Sequence, residues 1–243
     1  MPKPRYCYWS VATGAEANDL EACVRSAREA GVHRDFHVLT DRVIEGAECY
    51  DAYEYDRAHG LYKLHYLKAG MTRLNVDWFV WVDPRTRFLR NPVDVLSVVG
   101  ASPIHVPLEA EIGVLPGEAV WRGMPAHRLA ELMIRHGVYN PPRLSGSECW
   151  SVHHDVIELV HNLAMGFWHK AKEAGWECDV AGALGFAAQL LCSDTERHRL
   201  EATSGWWAPV TEWPSAASWM QRHWNDGEPF PMKPALVSLR PVE

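Results

Sequence analysis

A run of bulky apolar residues, Trp78 to Val82, ends abruptly at an aspartate, Asp83. Two arginines follow at positions 85 and 87, and then an aromatic residue and Asn91-Pro92. A carboxylate can bind a metal ion, and an arginine is a permanent cation whose planar fork suits phosphate. Residues 83 and 85 face the same side if the strand geometry continues. The segment therefore groups an acid and two arginines that could hold a charged ligand.

These side chains need an element to position them, and the apolar run itself supplies one. The run from Trp78 to Val82 is short and apolar on both faces, which is typical of a fully buried strand. A carboxylate at the carboxyl end of such a strand lies where open α/β sheets bind ligands. We therefore expect Asp83 and the arginines at the active edge of the fold.

Strand and helix patterns alternate before this motif. Strands are expected over Arg5 to Val11 and over Phe36 to Leu39, and each is followed by residues at helical spacing. The first helix should begin at a capping box, Thr13 to Glu16, and end at Gly31. The second helix should cover Gly60 to Leu74. Strand, helix, strand, helix, strand predicts a mostly parallel, Rossmann-like α/β sheet flanked by helices.

The second half of the chain is less regular, and its Trp-rich tail resists assignment. No segment has the composition of a linker, so a single domain over residues 1–243 is expected. The elements expected there are a strand within Pro103 to Val106, a helix over Ala126 to Arg135, a strand-like stretch in Leu144 to His153, a helix after a capping box at Asp155 and Glu158, and a helix from Asp179 through Leu191.

The composition excludes several classes of protein. Hydrophobic residues make up 47% of the 243 residues, which indicates a sizeable core. The net charge of -7 argues against nucleic acid as a partner, because phosphate neutralisation needs a basic surface. No apolar run approaches a membrane span or a signal segment. The six cysteines form no Cys-x-x-Cys pair, so we expect reduced, mostly buried thiols and a cytoplasmic protein.

Several segments together resemble the glycosyltransferases of the GT-A fold, which use nucleotide-sugar donors. FVWVDPRTRFLRNP is similar to that family's apolar strand, Asp-x-Asp motif, aromatic residue and Asn-Pro. FHVLTDR resembles its second strand, and GLYKLHYLKAG, with Lys63, resembles the helix before the motif. SGSECWSVHHD resembles the segment that lines the acceptor site, and HWNDG, which begins at His223, loosely resembles a late His-x-x-Gly element. The resemblance is strongest over Tyr6 to Pro92.

The resemblance implies an enzyme that transfers a sugar from a UDP- or GDP-sugar to an acceptor that the sequence does not identify. Residues 1–100 would form the nucleotide-binding half, and residues 101–243 the acceptor-side half. Asp179 is the candidate catalytic carboxylate, because it resembles the family's acidic residue that opens a late helix. The implied nucleotide-binding residues are Thr13, Asp41, Lys63, Asp83 and Arg85. The implied acceptor-binding residues are Ser145, Gly146, Trp206 and Trp207, and the candidate metal ligands are Asp83 and His223.

The motif departs from the family at its second acid, because position 85 is an arginine. In the family, two carboxylates hold Mn²⁺ or Mg²⁺ against the diphosphate, and the cation neutralises the charge that the leaving group gains. A lone Asp83 is a weak metal site. We therefore expect either a divalent cofactor or a metal-independent site in which Arg85, with Arg87 or Lys63, takes over part or all of the metal's role.

Two other functions are compatible with these residues. The missing acid favours a catalytically inactive relative that binds a nucleotide or a glycan. A nucleotidyltransferase would need a Gly-rich, basic loop after the first strand, and ATGAEAN is poor in glycine and arginine. Structural roles are open as well: Asp83 in a turn, Thr13 and Asp179 as helix N-caps, and Trp206-Trp207 in the core.

Overall fold

The computed structural model describes residues 5–51, 61–70, 74–92, 103–111, 119–121, 123–138, 143–191, 199–200, 207–210 and 236–239. The helices are α1 (Glu16–Glu29), α2 (Tyr62–Gly70), α3 (Ala126–Arg135), α4 (Ile157–Glu173) and α5 (Val180–Leu191), and a 3-10 turn covers His154–Val156. The strands are β1 (Tyr6–Ala12), β2 (Phe36–Thr40), β3 (Glu48–Asp51), β4 (Trp78–Val82), β5 (Thr86–Phe88), β6 (Ile104–Glu111), β7 (Val120–Trp121), β8 (Met124–Pro125), β9 (Arg143–Ser145), β10 (Cys149–His153), β11 (Arg199–Leu200), β12 (Trp207–Val210) and β13 (Leu236–Leu239).

The largest sheet has eight strands in the order β11-β6-β10-β4-β1-β2-β3, with β9 paired to β6. β1, β2 and β3 run parallel, with Tyr8 opposite Phe36 and His37 opposite Glu48. β6 runs antiparallel to β9 and β10. The prediction of a mixed α/β fold with a mostly parallel central sheet and flanking helices is therefore confirmed.

The strand order reverses at β1, which has β2 on one side and β4 on the other. Near the start of both strands, the backbone N–H groups of Asp77 and Trp78 donate to the carbonyl of Arg5. Further along, the Trp9 and Trp81 rings pack edge to face with their centroids 4.8 Å apart. Because these contacts advance together along the two strands, β4 runs parallel to β1.

The chain divides into two compact units. The first comprises Met1–Tyr6, Glu54–Val80 and Val99–Arg199, and the second comprises Cys7–Tyr53, Trp81–Val98 and Leu200–Glu243. β1 and β4 contribute residues to both units. The segments that directly follow β1, β2 and β4 all belong to the second unit.

α1 forms because its apolar residues recur at helical spacing, and it buries Ala17, Leu20, Cys23, Val24 and Ala27. The helix ends at Glu29, two residues before the expected Gly31, whose φ of 76° allows the Val32 N–H to donate to the Ala27 carbonyl at 2.9 Å. The N-cap positions differ from those that the predicted capping boxes imply. α1 has Ala15 as its N-cap and α4 has Val156, and neither residue makes a side-chain capping bond.

α5 is buried on all sides, from Val180 through Gln189, because its sequence VAGALGFAAQLL has no charged face. It packs against α4, with the Phe186 and Phe167 rings stacked 4.2 Å apart, and against β6 and β9. A Cβ at Gly182 would lie 2.8 Å from the Trp176 ring and 3.0 Å from the Cys178 sulfur. Only glycine fits at this position without a shift of its neighbours.

Part of the tail that resisted assignment forms a second sheet in the order β12-β13-β5. β13 pairs antiparallel with β5, so that Ser238 lies opposite Thr86 and Val237 opposite Arg87. β12 runs parallel to β13, with Trp207 opposite Leu236. The strand that follows the Asp83 motif is therefore held by backbone pairing to residues near the end of the chain.

The cysteines within the described residues are all free, and four of the five are buried. Burial raises the pKa of Cys23 to about 12, so this thiol stays protonated. Reduced and mostly buried thiols were expected, and these five agree; Cys192 lies outside the described residues. None of the helices in the described segments combines the length and the apolarity that a bilayer crossing requires.

Candidate functional site

The site lies where the strand order reverses, at the carboxyl ends of β1, β2 and β4. Open α/β sheets bind ligands outside the carboxyl ends of strands at such a reversal. Thr13 and Gly14 follow β1, Asp41 follows β2, and Asp83 follows β4. Of the residues predicted to bind a nucleotide, Thr13, Asp41, Asp83 and Arg85 thus belong to one unit.

Asp83 opens a tight turn and is buried, with 6% of its surface exposed. Its carbonyl accepts from the Thr86 N–H at 2.9 Å, which closes a β-turn that has Pro84 at its second position. The carboxylate Oδ1 accepts from the Arg85 backbone N–H at 3.0 Å and from Arg85 Nε at 3.3 Å. The turn predicted as an alternative role for Asp83 is present, and it also pairs the acid with a cation.

Arg85 turns back onto Asp83 through Nε only. Its side chain is 35% exposed, and within the described part of the chain its terminal Nη1 and Nη2 have no hydrogen-bond partner. A guanidinium held at one edge in this way presents its remaining N–H groups outward as a fork. Such a fork matches the oxygens of a phosphate or a carboxylate.

Arg87 has a different environment, although it is only two residues away. Its Nη1 donates to the carbonyls of Thr86 at 2.8 Å, Asp19 at 3.3 Å and Pro84 at 3.4 Å. Its Nη2 lies 3.8 Å from Asp19 Oδ1. Burial lowers the pKa of Arg87 from its ordinary value. Arg87 therefore ties the motif turn to α1, and the expectation that it shares Arg85's phosphate contact is not supported.

Asp41 ties the end of β2 to the loop after β1. Its Oδ2 accepts from the Gly14 N–H at 2.8 Å, and this bond is the main reason that the pKa of Asp41 lies below its ordinary value. Arg42 donates to the Asn18 side-chain oxygen at 2.8 Å and to the Gly14 carbonyl. Gly14 has a φ of 62°, which a residue with a Cβ rarely adopts. Asp41 and Arg42 therefore both hold the loop after β1.

Lys63 and Asp179 belong to the other unit. Lys63 lies on α2 and is buried, so it is not a surface residue. Asp179 precedes α5, and its Oδ1 accepts from the Gly182 N–H at 3.0 Å while its carbonyl accepts from the Ala183 N–H at 3.2 Å. The predicted N-cap role of Asp179 is confirmed. Its catalytic role stays a prediction.

The predicted acceptor residues are described only in part. Ser145 ends β9, the strand against which α5 packs, and Gly146 follows it and is buried. Trp207 opens β12, whereas Trp206 and His223 lie outside the described residues.

The described side chains give little support to the predicted metal site at Asp83. Among the described residues, no group of three or more His, Cys, Asp or Glu side chains could hold a metal ion. Asp83 already accepts two hydrogen bonds from Arg85 at one oxygen, and the positive charge of the Arg85 guanidinium would repel a metal ion. The described residues at this turn therefore fit an anion better than a divalent cation.

The sequence reasoning missed three residues that build the site: Asn18, Asp19 and Arg42. Asn18 and Asp19 lie in the first turn of α1, where acidic and amide residues are read as ordinary solvated positions. Only the position of Arg42, directly after the predicted Asp41, offered a sequence signal. Their partners are 24 to 68 residues away along the chain, so spacing could not reveal the contacts.

Comparison with known proteins supplies a fold and little more. No family model matches the chain, and no curated protein matches it. The apo structure of the bifunctional glycosyltransferase WbbM is similar, with a TM-score of 0.60 and 12% sequence identity. This chain has a glycosyltransferase-like fold. The match covers 97% of this chain and 46% of that one, so the chain spans less than half the length of that protein.

Proposed function

We propose that the chain is a glycosyltransferase of the GT-A type that transfers a sugar from a UDP- or GDP-sugar to an acceptor. The observation that carries the proposal is the Asp83–Arg85 turn. It lies at the carboxyl edge of a glycosyltransferase-like sheet and presents two unpartnered guanidinium nitrogens within the described part of the chain. This edge is where the leaving diphosphate of a nucleotide-sugar would need a cation.

On the donor side, the base and ribose lie near Thr13 and Asp41, and the diphosphate lies against Arg85. Transfer breaks the bond between the anomeric carbon and the diphosphate oxygen, and the electron pair stays with the leaving diphosphate. The negative charge of that group rises, so a fixed cation stabilises the transition state more than the ground state. Asp83 holds Arg85 by Nε in the orientation that this task needs.

On the acceptor side, Asp179 accepts the proton of the attacking hydroxyl while the new bond to the anomeric carbon forms. Its Oδ1 is fixed by the Gly182 N–H, which sets the direction of the carboxylate. Ser145, Gly146, Trp206 and Trp207 contribute to acceptor binding, and Lys63 contributes to donor binding. These assignments follow the family resemblance. Those of Ser145 and Gly146 are also supported by the packing of α5, which Asp179 precedes, against β9.

The transfer does not depend on a divalent cation in this proposal, because Arg85 supplies the charge. A titration of UDP, GDP and CMP, each with Mn²⁺ and with a chelator, tests donor binding. We expect one nucleoside diphosphate to bind equally well in both conditions. Arg85→Met should weaken that binding about 10- to 100-fold, the loss of a charge-assisted contact of roughly 1.5–3 kcal/mol. Arg25→Met, on an exposed pair with Glu21, is the matched control.

Three outcomes would count against parts of this proposal. Binding only with Mn²⁺ would contradict the arginine role and favour the metal-dependent version. Binding of no nucleotide would contradict the donor site altogether. The second candidate function is an inactive nucleotide-binding relative, which the arginine at the position of the second acid favours; nucleotide binding without transfer to a panel of acceptors would support it.

A further inference from the structure

The Arg87 side chain contacts both the motif turn and α1. It donates to the carbonyls of Pro84 and Thr86 within the turn and to the carbonyl of Asp19 in α1. One guanidinium thus spans the turn and the first turn of the helix. Its side chain is only 20% exposed, so these bonds are partly shielded from water.

The same turn of α1 is held from a second direction. Arg42 donates to the side chain of Asn18 and to the carbonyl of Gly14, and Asp41 accepts from the Gly14 N–H. Residues 14–19 therefore lie between two arginines. Asp41 and Arg42 hold Gly14 and Asn18, and Arg87 joins Asp19 to the turn that carries Asp83.

We propose that Arg87 is the positioning residue of the site: it fixes the turn that presents Arg85, and it does so by anchoring that turn to α1. The backbone pairing of β5 with β13 holds the residues after the turn, but it does not reach Pro84. The Arg87 guanidinium reaches the Pro84 carbonyl and so constrains the segment from which Arg85 projects. Without it, Arg85 would keep its charge and lose its fixed direction.

The chemistry of the contact requires an arginine. Three carbonyl acceptors and a carboxylate lie around the guanidinium, and its N–H donors point in fixed directions. A lysine carries its charge and its donors on a single nitrogen, so it could replace Nη1 at the carbonyls but could not also place a second nitrogen beside the Asp19 carboxylate. The bonds are part-buried, so their loss costs more than the loss of a fully exposed contact would.

The test compares Arg87→Lys with wild type and with Arg25→Lys, a charge-conserving control on the exposed face of α1. The readout is the NMR signal of Arg85 Nε–H and its exchange with water, measured well below each unfolding midpoint. We expect exchange to accelerate about tenfold or more in Arg87→Lys, since the Arg85–Asp83 contact loses its fixed geometry. Arg25→Lys should match wild type.

A second arm measures UDP binding and rests on the proposed function. Affinity should fall about three- to tenfold in Arg87→Lys while the unfolding midpoint moves modestly. If Arg85 Nε–H exchange stays at the wild-type rate while only the midpoint falls, Arg87 is merely structural and the positioning role is wrong. If wild-type protein binds no UDP, the donor proposal fails, and the exchange arm still decides the role of Arg87. Should Arg87→Lys not fold, Asp19→Asn weakens the same anchor and should shift the exchange in the same direction.

Discussion

Asp83 and Asp179 look alike in the sequence, since each is an acid directly next to a strongly apolar element. Their environments differ. Asp83 is buried and its Oδ1 accepts from a side chain that carries a positive charge. Asp179 is partly exposed, and its Oδ1 accepts from a neutral backbone N–H at the start of α5. Asp83 therefore lies beside a cation, whereas Asp179 caps a helix, and the two proposed roles, orienting Arg85 and accepting a proton, rest on this difference.

Replacing Asp83 should have the largest effect. Asp83→Ala removes the acceptor of two Arg85 hydrogen bonds, and we expect a loss of about 1–3 kcal/mol in the free energy of unfolding. Asp83→Asn keeps an oxygen for the Arg85 backbone N–H but removes the negative charge beside the guanidinium. Asp83→Asn should therefore be more stable than Asp83→Ala. It should also bind UDP severalfold more tightly than Asp83→Ala does. Chemical denaturation and calorimetric titration measure the two quantities.

The control for that comparison is Glu21→Ala, which breaks an exposed pair on α1 and should cost less than about 0.5 kcal/mol. If Asp83→Asn weakens UDP binding as strongly as Asp83→Ala does, Asp83 itself contributes to ligand or metal binding. The contrast between the two acids would then be wrong.

Asp179 should show an intermediate effect that separates its two roles. Asp179→Ala removes the N-cap of α5 and should destabilise the protein by about 1 kcal/mol. Asp179→Asn should be nearly as stable as wild type, because asparagine is an equally good N-cap. Its amide cannot act as a base, so transfer should fall by at least about 100-fold while nucleotide affinity is unchanged. If Asp179→Asn transfers sugar at the wild-type rate, Asp179 is only an N-cap and not the catalytic base.

Asp41 should give the smallest effect, since it is exposed. The Gly14 N–H lowers the pKa of Asp41 in the folded state. Its contribution to stability is therefore fully present above the unfolded value, about 3.9, and is lost as the pH falls through the lower folded value. The unfolding midpoints of wild type and Asp41→Asn should converge between about pH 5 and pH 2. Glu45→Gln, at an exposed position after β2, should keep the wild-type dependence of the unfolding midpoint on pH. If the midpoints of wild type and Asp41→Asn instead differ by the same amount at every pH, the bond from the Gly14 N–H to Asp41 does not contribute to stability.

Where apolar periodicity was strong, the sequence was sufficient to predict the fold. β4 occupies the predicted Trp78–Val82, α3 the predicted Ala126–Arg135, and α5 follows Asp179 through Leu191 as expected. The start of α1 differs from the predicted one, because a Thr-x-x-Glu pattern cannot show that Asp41 holds Gly14. The second sheet was missed because β12, β13 and β5 are short and pair with residues far away in the chain.

By itself the sequence determined the α/β class, the burial of β4 and the placement of an acid and two arginines directly after it. These features follow from local patterns, because an apolar run and its polar end are neighbours in the chain. Only the tertiary structure decided that the terminal nitrogens of Arg85 are available to a ligand, whereas Arg87 donates hydrogen bonds to three backbone carbonyls. Two identical residue types two positions apart differ because one lies beside α1, and that contact joins residues 68 positions apart.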